Sequence, residues 1–238
     1  LTGEHVHLGA QGIAHGHGGD GVLEGQTVAV GLQVGQDPGI ADYAGGDHLA
    51  AVGMDVVWKN VLTEAGYTRE DIDKFVAGPG FQAWWLMSNL EGWGGPNPDW
   101  WYERQEELSK FILGRMRELG MEPVLPGYGN ILPSNASEKM GVDAIDQGNW
   151  CSGFRRPAFL MPTDKRYAEI AQLYYKNLEK VMGKAKYYSM DPFHEGGRTK
   201  GINLKEAYYT IYSEMQKHSP EAKWVIQSWG DNPRKEAL

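Results

Sequence analysis

The first 53 residues lack Lys, Arg, Ser, Asn, Phe, Met, Cys and Trp altogether. The whole chain of 238 residues holds a single cysteine, Cys151. That excludes an internal disulfide framework and a four-cysteine zinc site. No apolar run approaches the roughly 18 residues of a membrane-spanning helix. The start, "LTGEHVHLGAQG", has neither the basic residues nor the continuous apolar core of a signal peptide. It also has no initiator Met, so the true gene start is expected to lie elsewhere. Cationic residues are outnumbered, 23 Lys and Arg against 31 Asp and Glu, for a net charge of -8. That balance argues against a nucleic-acid surface.

All nine Trp lie beyond residue 53, as do all the Lys and Arg. Aromatic faces stack on the C–H faces of sugar rings, so this richness points mildly to carbohydrate; the same residues also fill cores and interfaces. The length suffices for one large domain or two small ones with a sizeable core.

The leader, 1–53, reads differently from the rest. Glycine recurs without period, and neither helical nor alternating apolar spacing is sustained. "QTVAVGLQVGQ" allows a short hairpin at best. His5, His7, His15, His17 and Asp20 have the donor types of a zinc, copper or nickel tract. The segment also reads as biased and low in order, or as a foreign stretch joined in translation.

From residue 54 the pattern is regular. "MDVVWKNVLTEAG" predicts a helix closed by Gly66, and Thr68 with Asp71 predicts a capping-box start to the next. "DWWYERQEELSKFILGRMRELG" predicts an amphipathic helix with Leu108, Phe111, Ile112, Met116 and Leu119 on one face. "MEPVLPGYG" predicts a short buried strand, and 129–162 a long loop with weak helical content. A helix capped by Thr163 and ended by Gly183 follows, then a strand "KYYSMDPF". A helix capped by Asn203, a strand "KWVIQSW" and a helix start "DNPRKEAL" complete the order.

Alternation of strands and helices implies parallel pairing through crossovers, in a doubly wound sheet or a β/α barrel. "PGYGN", "DPFHEGG" and "QSWGDN" follow successive strands, and barrel active sites sit at that C-terminal rim. No Gly-rich dinucleotide fingerprint follows a strand. The expected fold is therefore α/β, a β/α barrel favoured over a doubly wound sheet, with an irregular N-terminal leader. Glu195, at the rim beside aromatics, is the first choice for a catalytic acid; a surface Glu capping the following turn is the alternative.

Residues 54–238 resemble the barrel of glycoside hydrolase family 89, the α-N-acetylglucosaminidases. The resemblance rests on "VVWKNVLTEAGYTREDIDKFVAGPGFQAWWLMSNLEGWGGP", "ELGMEPVLPGYG", "DPFHEGG" and "WVIQSWGDNP", in that order. It implies a retaining, exo-acting glycosidase that removes terminal α-linked N-acetylglucosamine with two Glu residues and no cofactor or metal. The acid/base Glu of that family lies in a D-x-F-x-E segment, here Asp191, Phe193 and Glu195. His194 stands where many relatives have Asn; it is a donor to a sugar hydroxyl or a packing residue. Trp84, Asn89 and Trp93 resemble a substrate-lining loop. Trp84 and Trp229 are the better choices for pocket walls, Trp150 a further one, Tyr128 a rim hydroxyl, and each is otherwise core filler. Asp191 either orients Glu195 or caps its strand.

The family's nucleophile Glu is expected beyond Leu238, and its opening strand before Met54. The resemblance thus implies a middle piece, strands two to five of a (β/α)8 barrel, so that 54–238 is expected to be a partial (β/α)8 TIM-type barrel, inactive by itself. A secreted, periplasmic or lysosomal setting is what the resemblance implies. Two other readings stay open, a different retaining glycosidase on the same barrel and a non-catalytic carbohydrate-binding protein with a Trp-rich rim. A second rim Glu in the parent gene would discriminate them.

Overall fold

The computed structural model describes residues 27–30, 52–193, 197–227 and 233–234. Seven helices and seven strands fall among these residues. Strand β1 is Thr27–Val30, helix α1 Met54–Glu64 and helix α2 Arg69–Asp73. A 3-10 turn, Pro79–Phe81, runs into α3, Gln82–Leu86, within a segment whose Gly and Pro content masks helical spacing. Then come α4 (Asp99–Glu118), β2 (Val124–Pro126), β3 (Ile131–Leu132), α5 (Ala136–Met140), β4 (Ala144–Ile145) and β5 (Ala158–Leu160). The order closes with α6 (Tyr167–Met182), β6 (Tyr187–Ser189), α7 (Leu204–His218) and β7 (Lys223–Gln227).

The fold is α/β. One sheet has the order β1-β7-β6-β2, all pairs parallel. Val124, Tyr187 and Lys223 stand in register, as do Pro126, Ser189 and Val225. The C-terminal ends of β2, β6 and β7 therefore share one edge. Of the leader only residues 52–53 and β1 are described. Strand β1 pairs with β7, a distant strand, where the sequence offered a local hairpin. The histidine tract and the helix start at 231–238 lie outside the described residues, apart from 233–234.

Local signals set several helix ends. Thr68 Oγ1 accepts from the Asp71 N–H while Asp71 returns a bond to the Thr68 N–H, the expected capping box. Gly66 and Gly183 follow the ends of α1 and α6 with φ of 88° and 78°. Asn203 Oδ1 accepts from the Glu206 N–H at 3.2 Å at the start of α7. Asn203→Ala is expected to lower stability by about 1 kcal/mol, and Asn203→Ser to restore most of it. Urea midpoints read this out, and an unchanged midpoint in the alanine variant would refute it.

Three expectations need correction. First, α4 buries Tyr102, Ser109, Leu113 and Met116. Phe111 stays 70% exposed, and Leu108 and Leu119 are exposed too. Of the expected face Met116 is buried and Ile112 packs against the core, and packing against α1 and α6 rotates the buried stripe towards Tyr102, the small Ser109 and Leu113. Second, 129–162 is not a plain loop: β3, β5 and β4 form a small antiparallel sheet. Its strands are two or three residues long, too short for a period to show. Third, Thr163 does not cap α6. Asp164 Oδ1 takes the Arg166 N–H at 2.7 Å instead, and Arg166 holds the cap position.

The core lies between the parallel sheet and the layer of α1, α4, α6 and α7. Trp58 is buried against Phe75, Tyr174 and Tyr128, with ring centroids 5.3, 5.1 and 6.3 Å away.

Candidate active site

A cavity of about 330 Å³ opens at the C-terminal ends of β2 and β6. Pro126, Gly127 and Gly129 form one wall, Ser189, Met190 and Asp191 a second, and residues 82, 83 and 86–88 a third. A smaller space beside it shares Ser88, Gly129 and Ile131 and extends to Gln147, Arg156 and Phe193.

The strand ends around it are tied by buried tyrosines and tryptophan. Tyr174 Oη donates to the Pro126 carbonyl at 2.9 Å, and the Tyr128 N–H donates to Tyr175 Oη at 3.3 Å. Trp224 Nε1 donates to the Met190 carbonyl at 2.8 Å, and Tyr208 Oη to the Pro192 carbonyl at 3.5 Å. Three of these bonds satisfy backbone carbonyls and one a backbone N–H at the strand ends, groups that are costly to bury unpaired. Gly127 permits the close approach: a Cβ there would stand 2.5 Å from Met190 Sδ and 3.1 Å from Tyr175 Oη.

Asp55 fixes the third wall. It is fully buried, and its carboxylate accepts from Trp101 Nε1 at 2.7 Å and Gln82 Nε2 at 3.1 Å. Burial pushes its pKa up, and those hydrogen bonds oppose the rise. The effect is to pin the first turn of α3, whose Gln82, Ala83 and Leu86 face the cavity.

The expected site residues divide into several groups. Asp191 lines the cavity. Asn89 is fully buried behind it, with its Oδ1 accepting from Arg156 Nη1 at 3.2 Å. Trp84 is not a wall of this cavity: 82, 83 and 86 take that face of α3, Trp85 takes the core, and Trp84 is left 41% exposed. It instead joins a run of rings. Phe81 lies 6.3 Å from Trp84 and 6.1 Å from Trp93, Phe154 lies 5.0 Å from Trp93, and Trp150 lies 6.3 Å from Phe154. Trp93 is 51% exposed within that run.

Tyr128 is not a rim hydroxyl. It is 1% exposed, packed 5.4 Å from Tyr174 and 6.0 Å from Tyr167, and its hydroxyl has no hydrogen-bond partner among the described residues. Chain position after a strand did place it at the correct edge, but the rings of α1 and α6 draw it inward. His194, Glu195 and Trp229 lie outside the described residues. Their flanks are described: Phe193 has φ of 64°, and its ring lies 4.3 Å from Phe159.

One titratable group was missed in the sequence. Glu91 Oε2 accepts the Ser134 N–H at 3.0 Å, and the Glu91 N–H donates to the Arg155 carbonyl at 2.9 Å. Burial pushes its carboxyl up to about 7, against the hydrogen bond from Ser134 and the charge of Arg155. A lone Glu inside "NLEGWGGP" was the available signal. Among the described residues no cluster of three or more His, Cys, Asp or Glu could hold a metal ion. No described helix is long and apolar enough to cross a membrane.

Residues 46–236 match the family model described as the alpha-N-acetylglucosaminidase (NAGLU) tim-barrel domain. The match begins eight residues before Met54. The human alpha-N-acetylglucosaminidase is 32% identical over 188 residues, covering 76% of this chain and 25% of that protein. A family 89 glycoside hydrolase from Clostridium perfringens, solved with 2-acetamido-1,2-dideoxynojirmycin, superposes with a TM-score of 0.75 at 36% identity. That superposition covers 79% of this chain and 22% of the other. A form of the Clostridium enzyme with two Glu-to-Gln substitutions, solved with its substrate GlcNAc-alpha-1,4-galactose, matches equally well. The chain thus spans about a quarter of the length of these relatives.

Proposed function

We propose, from the premise that this chain belongs to the α-N-acetylglucosaminidase family, glycoside hydrolase family 89, that it carries the acid/base half of a retaining α-N-acetylglucosaminidase site. The observation that carries the reading is the cavity at the C-terminal ends of β2 and β6. It is lined by Asp191, four residues before Glu195.

The scaffold in this reading is part of a (β/α)8 barrel. β2, β6 and β7 stand side by side in the order in which they occur along the chain, all parallel, with β3, β4 and β5 set apart in the small sheet, and winding does not reverse among the three. That favours a barrel over a doubly wound sheet, which reverses its order at a switch point. Residues 27–30 do not supply the barrel strand that precedes β2 in this reading. The position of β1 supports this, since it pairs beyond β7 at the far edge from β2.

The chemistry follows from two carboxyls across one glycosidic bond. Glu195 protonates the leaving oxygen as the bond breaks. A second Glu, from a part of the protein beyond Leu238, attacks the anomeric carbon from the opposite face. Water then cleaves the glycosyl-enzyme, with Glu195 taking its proton. Asp191 and His194 hold the strand end and a sugar hydroxyl. Trp229 offers an apolar face to the sugar in the cavity, and the run of Trp84, Trp93 and Trp150 offers its faces to sugar rings beyond it, with Asn89 and Tyr128 supporting the wall from behind. No metal or organic cofactor enters this scheme.

The substrate in this reading is a glycan with a terminal α-linked N-acetylglucosamine. The test is a panel of aryl glycosides on the full-length protein that carries this chain. Release from the α-N-acetylglucosaminide is expected, with the α-configured sugar as first product. Preference for α-glucoside or β-N-acetylglucosaminide, or an inverted product, would sink the reading.

A further inference from the structure

Asp55, in the first turn of α1, is surrounded by donors. Its Oδ1 accepts the Val56 N–H at 2.9 Å. Its Oδ2 accepts Trp101 Nε1 at 2.7 Å and Gln82 Nε2 at 3.1 Å. A backbone N–H and an indole N–H can only donate. Both favour the ionised carboxylate against the effect of burial. An ionised carboxylate only accepts, so the end of the Gln82 amide turned to Asp55 is its NH2. A glutamine in water shows either end of its amide with equal ease. Here the carboxylate fixes the choice and leaves the carbonyl oxygen, Oε1, on the other side.

Gln82 lines the 330 Å³ cavity, whereas Asp55 is fully buried behind it. Among the described residues nothing donates to Gln82 Oε1. Leu86, four residues on, lines the same cavity from the same face of α3, and Ala83 and Met87 stand beside it. This wall therefore offers one fixed acceptor in apolar surroundings. Pockets orient a ligand with a few placed polar groups of this kind. The complementary group is a donor that carries apolar mass with it. A hydroxyl brings the donor alone. An acetamido group brings an N–H and, two bonds away, a methyl.

We propose that Gln82 determines specificity for the 2-acetamido group of the terminal sugar, its Oε1 accepting the acetamido N–H while Leu86 receives the methyl, and that Asp55 is the positioning residue that holds the Gln82 amide in its accepting orientation. This rests on the reading of the cavity as an α-N-acetylglucosaminidase site. The fixed orientation is what makes the contact selective. Turned over, the amide would set its NH2 against the acetamido N–H, and both donors would be left unsatisfied. A sugar with a hydroxyl at the same carbon gains little from the fixed orientation, because a hydroxyl donates or accepts as its neighbour requires.

The experiment measures, by calorimetry on the full-length protein, the affinity for 2-acetamido-1,2-dideoxynojirmycin and for its analogue with a hydroxyl in place of the acetamido group. The readout is the ratio of the two dissociation constants. Gln82→Met removes the acceptor at similar volume. It is expected to weaken the acetamido compound about 10- to 100-fold and the hydroxyl analogue no more than a few-fold. Asp55→Asn keeps Gln82 but lets its amide turn, since the new Nδ2 can donate to Oε1. The ratio should shift in the same direction by a smaller factor. Loss of packing alone would weaken both compounds equally and leave the ratio unmoved. An unmoved ratio in Gln82→Met would overturn the role of Gln82, and that variant decides the matter if Asp55→Asn fails to fold. An unmoved ratio in a folded Asp55→Asn would overturn the positioning role of Asp55. A wild type with no preference for the acetamido compound would overturn the reading of the site itself, and this inference with it.

Discussion

Glu195→Gln in the full-length protein is expected to lower kcat on glycans with poor leaving groups by about 10²–10⁴-fold, the usual contribution of a general acid. Activated aryl glycosides should be harmed less, because their leaving groups depart without a proton. Their deglycosylation step would still slow, since Glu195 also activates water there. The 238-residue chain by itself is expected to show no enzymatic turnover of either substrate. A retaining mechanism needs two carboxyls about 5–5.5 Å apart on opposite sides of the anomeric carbon. Asp191 is four residues before Glu195 on the same strand end, so it does not reach the opposite face. Without the nucleophile the covalent route is lost. Parallel assays of the chain, the full-length protein and its Gln variant decide the matter. Robust turnover by the isolated chain, or an unaffected variant, would overturn the assignment.

The second large effect is on stability. Glu91 has its carboxyl raised from 4.5 to about 7, chiefly by burial. In the unfolded chain it titrates near its ordinary value. Between those two pH values the folded protein holds the proton more tightly than the unfolded one. Stability from this group is therefore full below about pH 4.5 and is lost as pH rises through about 7. The loss amounts to at most about 3 kcal/mol. Glu91→Gln keeps an acceptor for the Ser134 N–H and removes the titration. The variant should match the wild type in acid and exceed it in stability above neutrality. Urea unfolding from pH 4 to 8 gives the difference profile, in which all other titrations cancel. Parallel profiles for the two proteins would show that Glu91 does not titrate in this window.

Both effects depend on features that the sequence shows unequally. Helix ends were legible because their causes lie within a few residues. Thr68 and Asp71 form their capping box, and Asn203 its cap, from neighbours three positions apart. The α/β class was legible too, since alternating strands and helices leave parallel pairing as the way to bury both. "DPFHEGG" pointed to the strand end where chemistry is proposed only through its resemblance to the family's D-x-F-x-E segment, because a carboxyl after an apolar strand can equally cap a turn.

The tertiary structure decided the rest. The apolar period placed Met116 correctly on α4, but only close packing on α1 and α6 added Ser109 and Leu113 to the buried side and left Leu108 and Phe111 exposed. Trp84 and Trp85 are adjacent and chemically identical, yet one is exposed and the other buried, because α3 turns them to different sides. Tyr128 followed its strand as expected and then went into the core, where three rings from distant helices receive it. The small sheet of β3, β5 and β4 and the bond from Gln147 to Arg198 join residues far apart in the chain. What the sequence determined was local hydrogen bonding and the period of apolar residues. What it left to the fold was which surfaces meet, since burial is a property of neighbours that the chain brings together only when folded.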